Sequence, residues 1–276
     1  MMNIRQFKFT TRRQTLRLRR LSLNKRQKLV TGVLILSLGL FVSEYFLGRG
    51  GVLMVFFLAF LTSALLYFAL YKDLEDNFNW QVFVLPFLFT LAFGLFYLLV
   101  PARLLTRIVM TSLYGIGLYS LFLAQNIFTV SSIRTIALLT SARTVSFTIA
   151  LLSYFFLTNV IFSLHANIFI TSLLILAFTL PMIIQSIWTY TLDNNLLSNF
   201  LWVSGLTAVC LEVSLILWFW PSTPTLIALF LTGIFYTVVG LSQAWFEKRL
   251  FRGVMFEYFW VSVVIFGVLI LFTFWT

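Results

Sequence analysis

The stretch VLMVFFLAFLTSALLYFALY, residues 52–71, determines the class of fold. It carries no charge, no glycine and no proline, and a helix needs about twenty consecutive apolar residues to cross the hydrocarbon core of a bilayer. The apolar run is continuous and does not alternate with polar residues, which favours a helix over a strand of a membrane barrel. We therefore expect this stretch to be a transmembrane helix.

Eight further apolar runs of similar length flank this one. Hydrophobic residues make up 61% of the 276 residues and charged residues only 10%, which excludes a water-soluble globular protein. We predict an all-α integral membrane protein, a bundle of about nine transmembrane helices with no soluble domain, and eight or ten spans are the alternatives. The nine expected spans are 29–47, 52–71, 80–100, 108–130, 144–164, 168–191, 200–220, 225–246 and 254–275.

The positive charge is concentrated at one end of the chain. Residues 1–28 hold ten of the nineteen Lys and Arg and no acid, whereas the other nine bases stand against eight acids in residues 29–276. The chain therefore divides into a basic N-terminal arm, 1–28, and a nearly neutral polytopic domain, 29–276.

The basic residues also predict the orientation, because Lys and Arg beside spans are retained on the cytoplasmic side. With the N-terminus inside, sixteen of the bases lie in cytoplasmic segments and three, Arg49, Arg103 and Arg107, lie outside. An odd number of spans then places the C-terminus outside. We expect a multi-pass protein of the bacterial inner membrane with a cytoplasmic N-terminus.

The arm interleaves arginine with leucine, a pattern typical of a segment that lies on a membrane surface. Each base near anionic headgroups gains about 1 kcal/mol. A membrane-protein partner is an alternative, and nucleic acid is disfavoured because no base-stacking pattern of aromatic residues accompanies the arginines. The residues expected to contact lipid headgroups are Arg12, Arg13, Arg17, Arg19 and Arg20.

Scarce residue types exclude several kinds of chemistry. The chain has one His and one Cys, so it cannot build a Cys/His zinc site, and no nucleotide-binding or hydrolase motif is present. We predict no metal and no cofactor, and no motif identifies a catalytic residue.

Five polar residues are expected in the outer half of the membrane or at its outer surface, and they form the candidate site. Arg103 and Arg107 are four residues apart and could grip one anionic group. Glu212 lies deepest, and with Ser204 and Ala208 on its side we expect it to face the bundle. The alternative is a purely structural charge network. The five residues are Glu44, Arg103, Arg107, His165 and Glu212.

Other residues predict how the helices bend and pack. Pro181 lies in the middle of the sixth span and is a candidate hinge, although a proline in a membrane helix more often produces a kink that its neighbours accommodate. Gly233, Thr237 and Gly240 recur at helical spacing in the eighth span, which is typical of close helix contact.

The linker 131–143 mixes apolar and polar positions at near-helical spacing, and we expect a short interfacial helix there. Together with Gln125-Asn126-Ile127-Phe128 before it and Thr144-Val145-Ser146-Phe147 after it, this stretch resembles a family of uncharacterised polytopic membrane proteins of bacteria. The family has no established activity. The resemblance implies an inner-membrane location and carries over no catalytic residue.

For function, the sequence favours a non-enzymatic membrane component, a subunit or scaffold that engages lipids or other membrane proteins. One alternative is a transporter of a small solute or a lipid that uses Glu212 and the helix kinked at Pro181. The other is an intramembrane enzyme acting on a lipid-linked phosphate at the outer face. A transporter requires a cavity that touches Glu212, and the enzyme requires Glu44, Arg103 and Arg107 to converge on one cleft.

Overall fold

The computed structural model describes residues 24–75, 78–101, 103–131, 138–192 and 199–273, with backbone alone for Glu44 and residues 46–49. These residues contain nine α-helices long and apolar enough to cross a membrane, and no strand. The prediction of an all-α membrane protein is confirmed. A 3-10 turn, Gly48–Gly51, joins the first two helices. The helices are α1 Lys25–Leu47, α2 Val52–Leu74, α3 Gln81–Leu99, α4 Leu104–Ser131, α5 Leu139–Ser163, α6 Ile168–Thr191, α7 Phe200–Trp218, α8 Pro224–Phe246 and α9 Arg252–Phe272.

The two ends of the bundle carry different charges. The end at which α1 begins holds most of the described bases, and we call it the basic face; its members are Lys25, Arg26, Lys28, Lys72, Arg143, Lys248, Arg249 and Arg252. The other end, the opposite face, holds Arg103, Arg107 and His165. Lys25 of α1 pairs with Asp73 of α2 at the basic face, so these two helices run antiparallel.

The centre of the bundle is formed by α3 and α5, which pack against each other and against α4 and α6. Aromatic rings join the helices here. Phe96 of α3 stacks on Phe156 of α5 with ring centroids 4.2 Å apart, and Tyr154 of α5 stacks on Phe235 of α8 at 4.3 Å. Offset or edge-on aromatic contacts add to the dispersion energy that holds helices together where lipid is as apolar as the core.

A buried chain of hydroxyl groups links three helices near the middle of their lengths. Thr62 of α2 lies 3.0 Å from Thr90 of α3, and Thr90 lies 3.1 Å from the Tyr114 hydroxyl of α4. All three side chains are buried. Such bonds fix the rotation of each helix about its axis, since a hydroxyl turned toward lipid would lose its partner.

Two helices are peripheral. Only 22% of the most apolar window of α7 is buried, and only 6% of that of α9. The last helix packs mainly on α8, where Gly240 meets the Tyr258 ring and Thr237 bonds Ser262 at 3.0 Å. The expected close contact along the small residues of the eighth span is therefore confirmed.

Two boundaries differ from the prediction. Residues 139–143 form the first turn of α5, so this part of the expected interfacial helix belongs to a transmembrane helix instead. The Leu138 carbonyl accepts a hydrogen bond from the Ala142 amide at 3.1 Å, which places the start of the helix there. The fourth helix begins at Leu104, so Arg107 lies inside its first turn. Residues 132–137 lie outside the described part of the chain.

Candidate functional site

Arg107 lies where α1 ends and α4 begins. Its guanidinium carbon lies 5.1 Å from the centroid of the Tyr45 ring, a cation–π contact between α1 and α4. Its Nε atom is buried and has no hydrogen-bond partner among the described residues. Arg103 precedes the helix and is exposed. The backbone places Glu44 beside Tyr45, but its side chain lies outside the described residues, so its convergence with Arg103 and Arg107 stays a prediction.

His165 occupies the tight turn between α5 and α6 at the same face. The backbone there takes φ 48°, and Nδ1 of the ring lies 3.0 Å from the Ser163 carbonyl. The ring borders a cavity of about 280 Å³ that Trp218 and Ser222 also line. The cavity opens at the membrane boundary of α5 to α8, and it could admit water or a small polar group.

The direction of the Glu212 side chain differs from the prediction. The side chain is exposed, and the buried positions of α7 lie on the other side of the helix at Thr207, Cys210, Ser214 and Leu217. On a period of about 3.6 residues, Glu212 points directly away from that buried side. The prediction that Glu212 faces the bundle is therefore wrong for the bundle of this chain.

No other described helix lies close to the side of α7 that carries Glu212. Gly205 lies seven residues earlier on nearly the same line along the helix, and a β-carbon there would find no atom within 4 Å. We call this surface the Glu212 face. All its members are exposed: Leu201, Ser204, Gly205, Ala208, Glu212 and Ile216.

The five residues of the candidate site do not form one cleft in the described structure. Arg103 and Arg107 belong to the side of the bundle where α4 packs on α1, whereas α7 packs on α6 and α8. Glu212 is not among the residues that line the cavity beside His165. The structure thus gives three separate features: the Arg107–Tyr45 contact, the His165 cavity and the Glu212 face.

Pro181 does not interrupt its helix, because α6 is continuous from Ile168 to Thr191. A hinge at this position stays a prediction. The arginines of the N-terminal arm, Arg12, Arg13, Arg17, Arg19 and Arg20, lie outside the described residues. Among the residues that are described, no three His, Cys, Asp or Glu side chains come close enough to hold a metal ion.

A charge cluster that the sequence did not reveal lies at the basic face. Arg143 of α5 donates from Nε to the Thr189 carbonyl at 3.0 Å and from Nη2 to the Tyr190 carbonyl at 3.2 Å, both at the end of α6. Its Nη1 lies 3.3 Å from Oε1 of Glu247, and Nη1 of Arg249 lies 3.5 Å from Oε2 of the same carboxylate. We call these residues the Arg143 cluster.

The cluster fixes the ends of three helices. A cation at the C-terminus of α6 satisfies carbonyls that have no partner within the helix and is attracted by the helix dipole. The guanidinium also lies 4.5 Å from the Tyr190 ring centroid. The only sequence signal was a single base beside a predicted span, and its partners lie 47 and 104 residues further along the chain.

Buried amides form a second feature near this face. Gln125 of α4 is fully buried, and neither atom of its amide has a hydrogen-bond partner among the described residues. Gln185 of α6 is also buried but donates to Ser146 of α5 at 3.3 Å. An unpaired buried amide costs about 1–3 kcal/mol, so Gln125 does not stabilise this bundle by itself.

The stretch that carried the family resemblance supplies side chains to this region. Gln125, Arg143 and Ser146 all belong to it, and they lie toward the basic-face ends of α4 and α5. Arg143 and Ser146 bond α5 to α6, whereas the Gln125 amide has no such partner among the described residues.

Comparison with known proteins agrees with this picture. No curated protein and no solved structure matches the chain. A family model described as a protein of unknown function, DUF5656, matches residues 31–272, which covers all nine helices apart from the first turns of α1. This confirms the resemblance to a family without an established activity. The chain belongs to the DUF5656 family of multi-pass membrane proteins.

Proposed function

We propose that the chain is a non-enzymatic subunit of a membrane-protein complex, and that a transmembrane helix of another protein packs on the Glu212 face. The observation that carries the proposal is the exposure of Glu212 on the lipid side of α7. Ionisable groups inside membranes almost always face a bundle, a cavity or a partner.

Glu212 lies too deep in the membrane for its carboxylate to reach the interface. With 19 residues, α7 is about 28 Å long, close to the hydrocarbon thickness of about 30 Å. Glu212 lies six residues before Trp218, or about 9 Å below that end. A charged side chain near a helix centre costs about 3 kcal/mol on insertion scales, and a Glu side chain is too short to span 9 Å.

The chemistry of the face indicates the kind of partner. Gly205 and Ala208 permit a second backbone to approach closely. A basic side chain on that helix at the depth of Glu212 would neutralise the carboxylate in a medium of low dielectric constant. A second copy of this chain would instead bring two carboxylates together, which is unfavourable for like charges. Charge complementarity therefore favours a different protein.

Neither alternative function gains comparable support from the described residues. The transporter hypothesis needs a cavity that touches Glu212, and this side chain points away from the bundle. The enzyme hypothesis needs Glu44, Arg103 and Arg107 on one cleft, and the Glu44 side chain lies outside the described residues. Glu212, the other acid considered, is separated from the two arginines because α4 and α7 pack on different neighbours.

The finer points of location belong to the same proposal. We place the chain in the bacterial inner membrane, with the basic face toward the cytoplasm and the C-terminus outside. The excess of bases at the basic face supports this orientation. The arginines of the N-terminal arm would then lie against anionic headgroups of the inner leaflet.

Site-specific crosslinking in native membranes tests the proposal. A photoreactive residue at Gly205 should crosslink to a transmembrane segment that carries Lys or Arg at the depth of Glu212. The same residue at Gly267 of α9 is the matched control, because a β-carbon there also meets no atom within 4 Å. We expect no crosslink to that segment from Gly267.

A charge exchange provides the second step. Glu212→Lys should abolish the crosslink from Gly205, and replacing the partner's basic residue with Glu should restore it. Crosslinks from Gly205 to lipid alone, or to Gly205 of a second copy, would contradict the proposal. An equal yield from Gly205 and Gly267 would contradict it as well.

A further inference from the structure

The turn between α8 and α9 presents three bases at the basic face. Lys248, Arg249 and Arg252 are all exposed. The turn itself is well defined, because the Lys248 amide donates to the Trp245 carbonyl at 2.9 Å and the Arg249 amide donates to the Ala244 carbonyl at 2.9 Å. The bases are therefore held in place by a hydrogen-bonded turn.

An apolar cleft begins directly beside these bases. It has a volume of about 440 Å³ and is lined by Arg252, Met255, Phe256 and Phe259. Their spacing of three, four and seven residues puts them on one side of α9. We call this the Arg252 cleft. Its apolar walls run from the basic face toward the middle of the helix, and Arg252 stands at the mouth.

Two of the three bases are available to bind an anion. Glu247 is the acid of this turn, and its carboxylate lies against Arg143 at 3.3 Å and Arg249 at 3.5 Å. Within the described part of the chain, neither Lys248 nor Arg252 forms an ion pair with an acid. Glu257, which could have paired with Arg252, lies on a different side of α9, since five residues leave the two side chains about 140° apart around the helix axis.

We propose that the Arg252 cleft binds one anionic phospholipid. Arg252 and Lys248 hold the phosphate at the membrane surface, and one acyl chain lies against Met255, Phe256 and Phe259. This site is separate from the Glu212 face, and it does not depend on the proposed partner.

The position of the cleft explains why a lipid fits better than a soluble anion. The most apolar window of α9 is 6% buried, so the walls of the cleft face the acyl region of the membrane. Its mouth lies at the first residue of a 21-residue helix, which is the level of lipid phosphates for a helix of spanning length. Basic pockets at such positions select lipids with a net negative headgroup over zwitterionic lipids.

Native mass spectrometry of the full chain in mild detergent tests this proposal. The protein is incubated with phosphatidylglycerol or with phosphatidylcholine of the same acyl chains, and the bound lipid is counted. We expect phosphatidylglycerol to bind about fivefold better, and Arg252→Gln and Lys248→Gln each to remove most of that preference. Phe256→Ser should weaken binding of both lipids, because the acyl chain loses its contact.

Lys72→Gln is the matched control. Lys72 is an exposed base at the same face, at the end of α2, but it lies beside Asp73 and Glu75. Its substitution should therefore leave the lipid preference unchanged. Equal binding of the two lipids by the native chain would overturn the proposal, as would an equal loss in Lys72→Gln. Inorganic phosphate that competes as strongly as the lipid, or a second copy that occupies the cleft, would also overturn it. Melting temperatures of the variants separate loss of binding from loss of folding.

Discussion

The central helix α5 and the peripheral helix α9 differ in burial but not in apolar character. In its most apolar window α5 is 67% buried and α9 is 6% buried, although α9 has the higher mean hydropathy. Lipid tails are as apolar as leucine, so hydropathy places a helix in the membrane without drawing it into the bundle. The difference shows that something other than hydrophobicity selects the core helices.

Polar and small side chains supply that selection. The buried residues of α5 include Ser146, Ser153, Thr158 and Asn159, and Asn159 donates to Thr225 of α8 at 3.1 Å. Within α9, Leu269 is the only buried residue. Polar groups in lipid seek partners on other helices, and small residues let the backbones approach, so these two features order the bundle.

Gly94→Leu, in the packed core, should have the largest effect on stability. A β-carbon at Gly94 of α3 would lie 2.6 Å from Cγ1 of Val55 in α2, so a leucine must separate the two helices. We expect the free energy of unfolding to fall by about 3 kcal/mol, at the upper end of the range for overpacking. Unfolding in mixed micelles with increasing dodecyl sulfate measures this loss.

Gly267→Leu on α9 is the control for that change. A β-carbon there has open space, and the helix propensity of leucine exceeds that of glycine, so the free energy of unfolding should not fall. Comparable losses at Gly94 and Gly267 would show that the separation into core and peripheral helices is mistaken.

Arg143→Gln tests the effect of burial on a charged residue. The Arg143 side chain is 16% exposed and bonds two backbone carbonyls and Glu247, so its removal leaves the end of α6 without its cation. We expect the free energy of unfolding to fall by about 2 kcal/mol. Thermal unfolding followed by tryptophan fluorescence in detergent should show a lower midpoint.

Arg249→Gln changes the net charge by the same amount, and Arg249 also contacts Glu247. The Arg249 side chain, however, is 69% exposed, and solvent-exposed ion pairs contribute little. The expected loss is below about 0.5 kcal/mol. If Arg249→Gln destabilised the protein as much as Arg143→Gln, net charge at the basic face would matter more than the buried geometry.

The same distinction explains what the sequence could predict. The nine spans follow from the length of the apolar runs, and the close packing of α8 and α9 follows from Gly233, Thr237 and Gly240. The direction of Glu212 does not follow from sequence. Ser204, Ala208 and Glu212 form a pattern suited to packing against any helix, whether of this chain or of another protein.

The Arg143 cluster could not be predicted for a different reason. A base beside a span has an adequate explanation as a determinant of orientation, and its partners Tyr190 and Glu247 are distant in sequence. The Arg252 cleft was hidden in the same way, because its arginine and aromatic residues are individually ordinary for the end of a membrane helix. Their combination becomes informative only when the turn and its ion pairs are known.

Of the three destabilising changes, at Gly94, Arg143 and Thr90, Thr90→Val has the smallest expected effect, and it tests the polar contribution directly. When the Thr90 hydroxyl donates to the Pro86 carbonyl at 3.0 Å, the Tyr114 hydroxyl donates to Thr90. Valine removes the acceptor of a buried donor, whereas Tyr114→Phe removes the donor itself; we expect losses of about 1 and 0.5 kcal/mol, with a coupling of about 0.6 kcal/mol in the double variant. Thr148→Val is the control, because Thr148 is exposed and bonds only a carbonyl of its own helix. A loss in Thr148→Val equal to that in Thr90→Val would mean that helix propensity, and not the bond between α3 and α4, determines the effect.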